Sequence, residues 1–184
     1  MKFWTLLATI ALCVLGTPLY SQEGEADKLK NTMNAALDVL YLEAYDDYTY
    51  EQQQTAVQAL LEESYDLTVI IRRALARNWN LLSAEEQVRV SDLIEQLVVK
   101  AYVKGMEGKK RPEIIFDDVV EISSKRIEIP VVISFPGGKV FNVVYRLGRL
   151  KSGWQVYDIV GEDISLVSNY RQQFDDHFRK GNGQ

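Results

Sequence analysis

The chain has 184 residues, a formal net charge of −5 at pH 7, one histidine and one cysteine. A length of this order suits one domain. A mildly acidic chain is a poor match for nucleic acid, which calls for a clustered basic face, and a lone cysteine excludes a disulfide within the chain.

The N-terminus reads Met1-Lys2, an apolar run from Phe3 to Leu15, then GTPLYS, and Lys2 is the only charge before Glu23. A short positive start, an apolar core and a small residue ahead of a polar segment are the parts of a secretory signal peptide. We read a leader over residues 1–21, cleaved after Ser21, with the exported domain spanning 22–184 and starting at Gln22. The apolar run is too short for a bilayer, which needs about 20 residues. Cys13 lies within it, and Leu12 just before is too large for a lipoprotein signal. Loss of Lys2 takes the formal charge from −5 to −6. The exported domain then has no cysteine, so a conventional apolar core must hold it together.

From Glu25 to Leu42 the residues Leu29, Met33, Ala36, Leu37, Leu40 and Tyr41 recur at helical spacing. The tyrosine-rich stretch EAYDDYTYEQQQ reads as a loop and the start of a second helix, from about Gln53 to Ser64. A third pattern uses Leu67, Ile70, Ile71, Ala74, Leu75 and Asn78, with Arg72, Arg73 and Arg77 off its apolar face. Ser83-Ala84-Glu85-Glu86 is a capping box, in which the serine accepts an orphan N–H and Glu86 reaches back. The helix it opens carries Val90, Leu93, Ile94, Leu97, Val98, Ala101 and Tyr102, and Gly105 is its expected stop.

After the charged break Lys109-Lys110-Arg111-Pro112, read as a solvated loop, β-branched residues dominate. Strands are expected near Glu113–Glu121, Arg126–Phe135, Lys139–Leu147 and Trp154–Val160, joined by turns at Pro136-Gly137-Gly138 and Lys151-Ser152-Gly153. Ile127, Ile129, Val131, Ile133 and Phe135 share one face of the second strand; Phe141, Val143, Tyr145 and Leu147 share one face of the third. Leu166, Tyr170, Phe174 and Phe178 step by four and mark a closing amphipathic helix, with Val167 alongside. The expectation is an α+β domain: helices packed on one face of a roughly four-stranded antiparallel sheet. Its apolar residues exceed what the core needs and occupy both sheet faces, which points to an apolar pocket or an interface.

Groups that do chemistry are scarce. His177, in the tail FDDHFRKGNG, has no second histidine or cysteine beside it and reads as a solvated helix end, so no metal site and no catalytic residue is assigned. No phosphate-cradling glycine loop occurs, and no cofactor is expected. Asp158 alternates with Val156 and Val160, which sets a carboxylate among apolar neighbours. Such a group has a raised pKa and serves as a general base in small pocketed α+β enzymes, or else it is bonded to backbone or to an arginine such as Arg146 or Arg171.

The segment GWQVYDIVGEDISLVSNYRQQF, from Gly153 to Phe174, resembles the signature of the MlaC (toluene-tolerance) family of periplasmic phospholipid carriers. The matching positions are Trp154, Val156-Tyr157-Asp158, Ile164-Ser165-Leu166 and Asn169-Tyr170-Arg171 with Phe174. ALARNWNLLSAEEQ, from Ala74 to Gln87, resembles a second family segment, and YRLGRLKSGWQVYD its hairpin. The family has Glu-Gly ahead of Ile-Ser, whereas here Gly161 precedes Glu162-Asp163. The resemblance implies a soluble, monomeric periplasmic protein, not an enzyme. Such a carrier binds phospholipid and shuttles it between an inner-membrane ABC lipid transporter complex and an outer-membrane lipoprotein complex. The alternatives are the enzyme with Asp158 as base and a non-catalytic interaction domain.

If lipid tails are the ligand, the strand face bearing Phe141, Val143 and Tyr145 looks toward the helices, whose apolar stripes need a partner. The closing helix, with Val167, Tyr170 and Phe174, folds back from the last strand. The expected pocket wall comprises these residues and Ile70, Ile71 and Ala74 of the third helix.

Overall fold

The structure, a computed structural model, describes residues 20–181. The expected leader over residues 1–21, with Cys13, lies outside the described residues but for its last two positions. The elements are α1 (Tyr20–Tyr41), α2 (Tyr50–Ser64), α3 (Thr68–Leu75), α4 (Ala84–Met106), β1 (Glu113–Phe116), β2 (Val120–Ser123), β3 (Arg126–Ser134), β4 (Val140–Leu150), β5 (Gly153–Gly161), β6 (Ile164–Ser165) and α5 (Leu166–Gly181). The fold is α+β, with an antiparallel sheet ordered β1-β3-β4-β5-β6 and β2 paired to the free half of β3's outer edge.

Local chemistry sets the helix ends. Ser83 Oγ accepts the Glu86 N–H at 3.2 Å and Glu86 Oε2 accepts the Ser83 N–H at 2.7 Å, the reciprocal cap expected from the sequence. Thr49 and Gln52 form a second such box and start α2 at Tyr50 rather than at Gln53. Gly105 does not end α4; the helix runs to Met106, and Gly108, at φ 68°, makes the turn that only glycine adopts freely. The third helix stops at Leu75, short of Asn78, where Ala76 takes φ 50° and a 3₁₀ stretch, Ala76–Leu81, follows.

The single strand expected over Glu113–Glu121 is two. Pro130, in mid-β3, has no N–H to donate toward the outer edge; its carbonyl accepts from Asp117 N–H at 3.0 Å, and the ladder breaks there. β1 pairs with Val131–Ser134 and β2 with Arg126–Glu128, on either side of that gap. Register between β3 and β4 sets Ile127, Ile129, Val131 and Ile133 opposite Leu147, Tyr145, Val143 and Phe141, so the two stripes form one apolar face. On that face Ile127, Ile129, Val131 and Leu147 are buried with Leu29, Tyr65 and Trp154. Each such side chain contributes about 1.5–3 kcal/mol. A second cluster, Ala36, Val39, Val57, Val99 and Val103, joins α1, α2 and α4. α3 and α5 pack on each other and along β5.

Candidate functional site: an apolar slot beneath α4

The helix-side face of the sheet is closed at one end only. Around Ile127 and Leu147 it is fully buried, whereas Phe141, on the same face, is 42% exposed. Over that open end the C-terminal half of α4 stands clear of the strands and leaves a slot of about 330 Å³. Its helix wall is Ala101, Tyr102, Gly105 and Met106, two adjacent pairs repeated after four residues and therefore on one face of α4. Its sheet wall is Ile133, Phe135, Phe141 and Val143, with Phe135 and Phe141 edge to face at 6.0 Å. Ala101 and Gly105 bring little or no side chain into the gap from the helix side.

Nothing inside the slot carries charge near neutral pH. Burial pushes the Tyr145 phenol at its base up to about 12. Burial, and then the neighbouring phenols of Tyr145 and Tyr41, raise Tyr102 as well. The two charged residues among its lining, Lys109 and Glu162, are exposed and sit at the rim. The arrangement can hold an apolar body with a polar end in water; it offers no nucleophile paired with a base. Among the described residues no cluster of three or more His, Cys, Asp or Glu is gathered as a metal site needs, and no helix is long and apolar enough to cross a membrane. His177 is exposed on α5, its ring beside Phe178.

Asp158 belongs to a different structure, the joint between β5 and α5. A bulge in the β4–β5 ladder sets Val156 opposite Leu147 but Asp158 opposite Arg146. Simple alternation fails at that point, and Asp158 does not share a face with Val156. The carboxylate is buried and saturated. Oδ1 accepts from the N–H of Ile159 (2.9 Å) and of Val167 (3.2 Å), and Oδ2 from the Ser165 hydroxyl (2.8 Å) and Arg146 Nη1 (3.3 Å). Ser165 Oγ in turn accepts the Ser168 N–H at 3.0 Å, so the two side chains together satisfy orphan donors at the start of α5. Further along, Arg171 donates from Nε and Nη2 to the Arg73 carbonyl, at 3.2 and 2.7 Å, and caps the C-terminal end of α3. The Arg73 guanidinium lies 4.6 Å over the Tyr157 ring.

Of the nine wall residues expected from the sequence, the structure brings Phe141 and Val143 into the slot and sets Tyr145 against the buried core beneath it. Ile70, Ile71 and Ala74 lie on α3, and Val167, Tyr170 and Phe174 on α5, in the helix pair along β5; they do not line this slot. Val167, Ile71 and Ala74 are buried there, and Tyr170 and Phe174 stack at 6.3 Å. The helix wall was missed. Its signal was present in the pairing of Ala101-Tyr102 with Gly105-Met106, which only the end of α4 over the sheet makes into a wall.

These features define an α+β domain built around an apolar slot, with its most patterned polar residues spent on joining helix to strand. The chain belongs to the MlaC family: the model of the MlaC protein family matches residues 30–184. Its fold is similar to a solved structure of the phospholipid-binding protein from Ralstonia solanacearum, in complex with a phospholipid. The TM-score is 0.75 at 18% identity, covering 89% of each chain. No curated protein matches the chain.

Proposed function

We propose that this protein is an exported phospholipid-binding carrier whose lipid tail enters the slot between α4 and β3–β4. The observation that carries the proposal is the slot itself: Tyr102, Met106, Ile133, Phe135, Phe141 and Val143 converge on space that no side chain fills. Family membership and the phospholipid held by the Ralstonia protein support the same ligand class. Each methylene moved from water into such a slot contributes about 0.8 kcal/mol, so an acyl chain needs no precise polar partner. A volume of about 330 Å³ lies at the small end of ligand cavities. α4, already clear of the sheet, swings outward to admit the rest of the lipid. The six α3 and α5 residues enter the proposal as part of the helix pair that packs along β5.

The leader over residues 1–21 puts the mature chain in the periplasm. There a carrier exchanges lipid with an inner-membrane ABC lipid transporter complex and an outer-membrane lipoprotein complex. The test is native mass spectrometry of the purified mature protein, beside its melting temperature. Wild-type protein is expected to carry phospholipid. Val143→Trp, which fills the slot from the sheet side, is expected to lose it while still melting cooperatively. Wild-type lipid content in a folded Val143→Trp protein would place the tails elsewhere, and absence of lipid from wild type after incubation with phospholipid vesicles would end the carrier reading.

A further inference from the structure

The mouth of the slot carries one cation and one carboxylate, on opposite walls. Lys109 follows the end of α4; its ammonium donates to the Gly105 carbonyl and lies 5.4 Å over the Phe135 ring, with N–H donors to spare. Glu162 rises from the sheet side, in the two-residue turn between Gly161 and Ile164. Among the described residues neither joins an ion pair. Glu162 is also held in an unfavourable backbone state. Glu162 and Asp163 have φ of 47° and 63°, left-handed values for which such turns select Asn-Gly or Asp-Gly. The strain persists because Asn142, itself on the lining, clamps the turn: its N–H donates to Glu162 Oε1 at 2.8 Å, and its carbonyl accepts the Glu162 N–H at 3.1 Å. Strained residues held by their surroundings cluster at ligand clamps.

Resting on the carrier reading, we infer that this mouth selects a zwitterionic phosphoethanolamine headgroup, with Lys109 on its phosphate and Glu162 on its ammonium. An ammonium offers three donors to a carboxylate. A phosphoglycerol headgroup keeps the phosphate but presents only neutral hydroxyls to Glu162 and brings a net negative charge toward it.

The experiment incubates delipidated protein with vesicles of equal parts phosphatidylethanolamine and phosphatidylglycerol and reads the class ratio of bound lipid by mass spectrometry. Wild type is expected to enrich phosphatidylethanolamine about threefold, the scale of one exposed ion pair, and to lose part of that enrichment in high salt. Glu162→Gln keeps an oxygen for the Asn142 N–H while removing the charge, and its ratio is expected to fall to that of the vesicles. Lys109→Gln should lower uptake of both lipids. A wild-type ratio equal to the vesicle ratio, or enrichment undiminished in Glu162→Gln or in high salt, overturns the selection but leaves the carrier reading standing. Failure of wild type to take either lipid overturns both.

Discussion

Asp158 has no free lone pair suited to proton abstraction: two backbone N–H groups, a hydroxyl and a guanidinium converge on it. Replacing it with asparagine leaves one oxygen for the two backbone N–H groups but sets amide protons against the Ser165 hydroxyl and the Arg146 guanidinium, which lose their acceptor. Asp158→Asn is expected to cost about 1–3 kcal/mol, seen as a lower melting temperature and faster amide exchange at the start of α5. An unchanged melting temperature would mean that the joint is held elsewhere. A second carboxylate works in the opposite sense. Burial, and then the carboxylates of Glu62, Asp92 and Asp66, hold Glu95 above the usual carboxylate range. The folded chain therefore binds that proton more tightly than the unfolded chain. The stabilisation is fully present below the ordinary carboxylate pKa of about 4.3 and is lost as pH rises through the raised value. Glu95→Gln should accordingly raise the melting temperature at neutral pH, by a degree or two, and change little near pH 4. A rise of equal size at both pH values would assign the effect to packing instead of charge.

Among the elements, the β5–β6 turn and the α3–α5 pair carry the polar residues that make the C-terminal segment distinctive. Asp158 and Ser165 start α5, Arg171 closes α3, and Asp175 accepts from Asn78 at 2.8 Å and Arg77 at 3.3 Å in the 3₁₀ stretch. Gly148 belongs to the same assembly, since a Cβ there would stand 3.2 Å from Tyr157 Cδ1, tight against the ring that bears Arg73. Within the turn, Asp163 at φ 63° occupies the position where glycine is usual and is not part of the slot lining. Asp163→Gly is expected to stabilise the fold by up to about 1 kcal/mol, as relief of left-handed strain outweighs the added freedom of the unfolded chain. A lower melting temperature would show that the aspartate side chain contributes more than its backbone costs.

At the scale of the molecule, rigidity is unevenly distributed. β3 and β4 pair over nine positions and bury the core cluster, while the end of α4 roofs the slot without packing down on it. A ligand in the slot would supply the contacts this part of α4 lacks. Extraction of bound lipid with organic solvent should therefore speed amide exchange over residues 99–109 and leave β3 and β4 as protected as before. Exchange in that segment unaffected by lipid removal would argue for a ligand that does not touch α4.

Much of this architecture is written locally. Periodicity placed five helices and the strands β3, β4 and β5, and the Ser-x-x-Glu pattern the Ser83 cap, because each depends on neighbours within a few residues. The stripes Ile127–Ile133 and Phe141–Leu147 were each legible for the same reason: side chains alternate strictly in an unbroken strand. Three features were decided only by tertiary structure. The split of the first strand depends on Pro130, which lies in its pairing partner. The face taken by Asp158 depends on a bulge, one extra residue in β5 that no local pattern announces. The slot depends on where α4 ends above the sheet. A stripe of apolar residues reads the same whether it meets a packed neighbour or an open space, and only the path of the chain through space distinguishes the two.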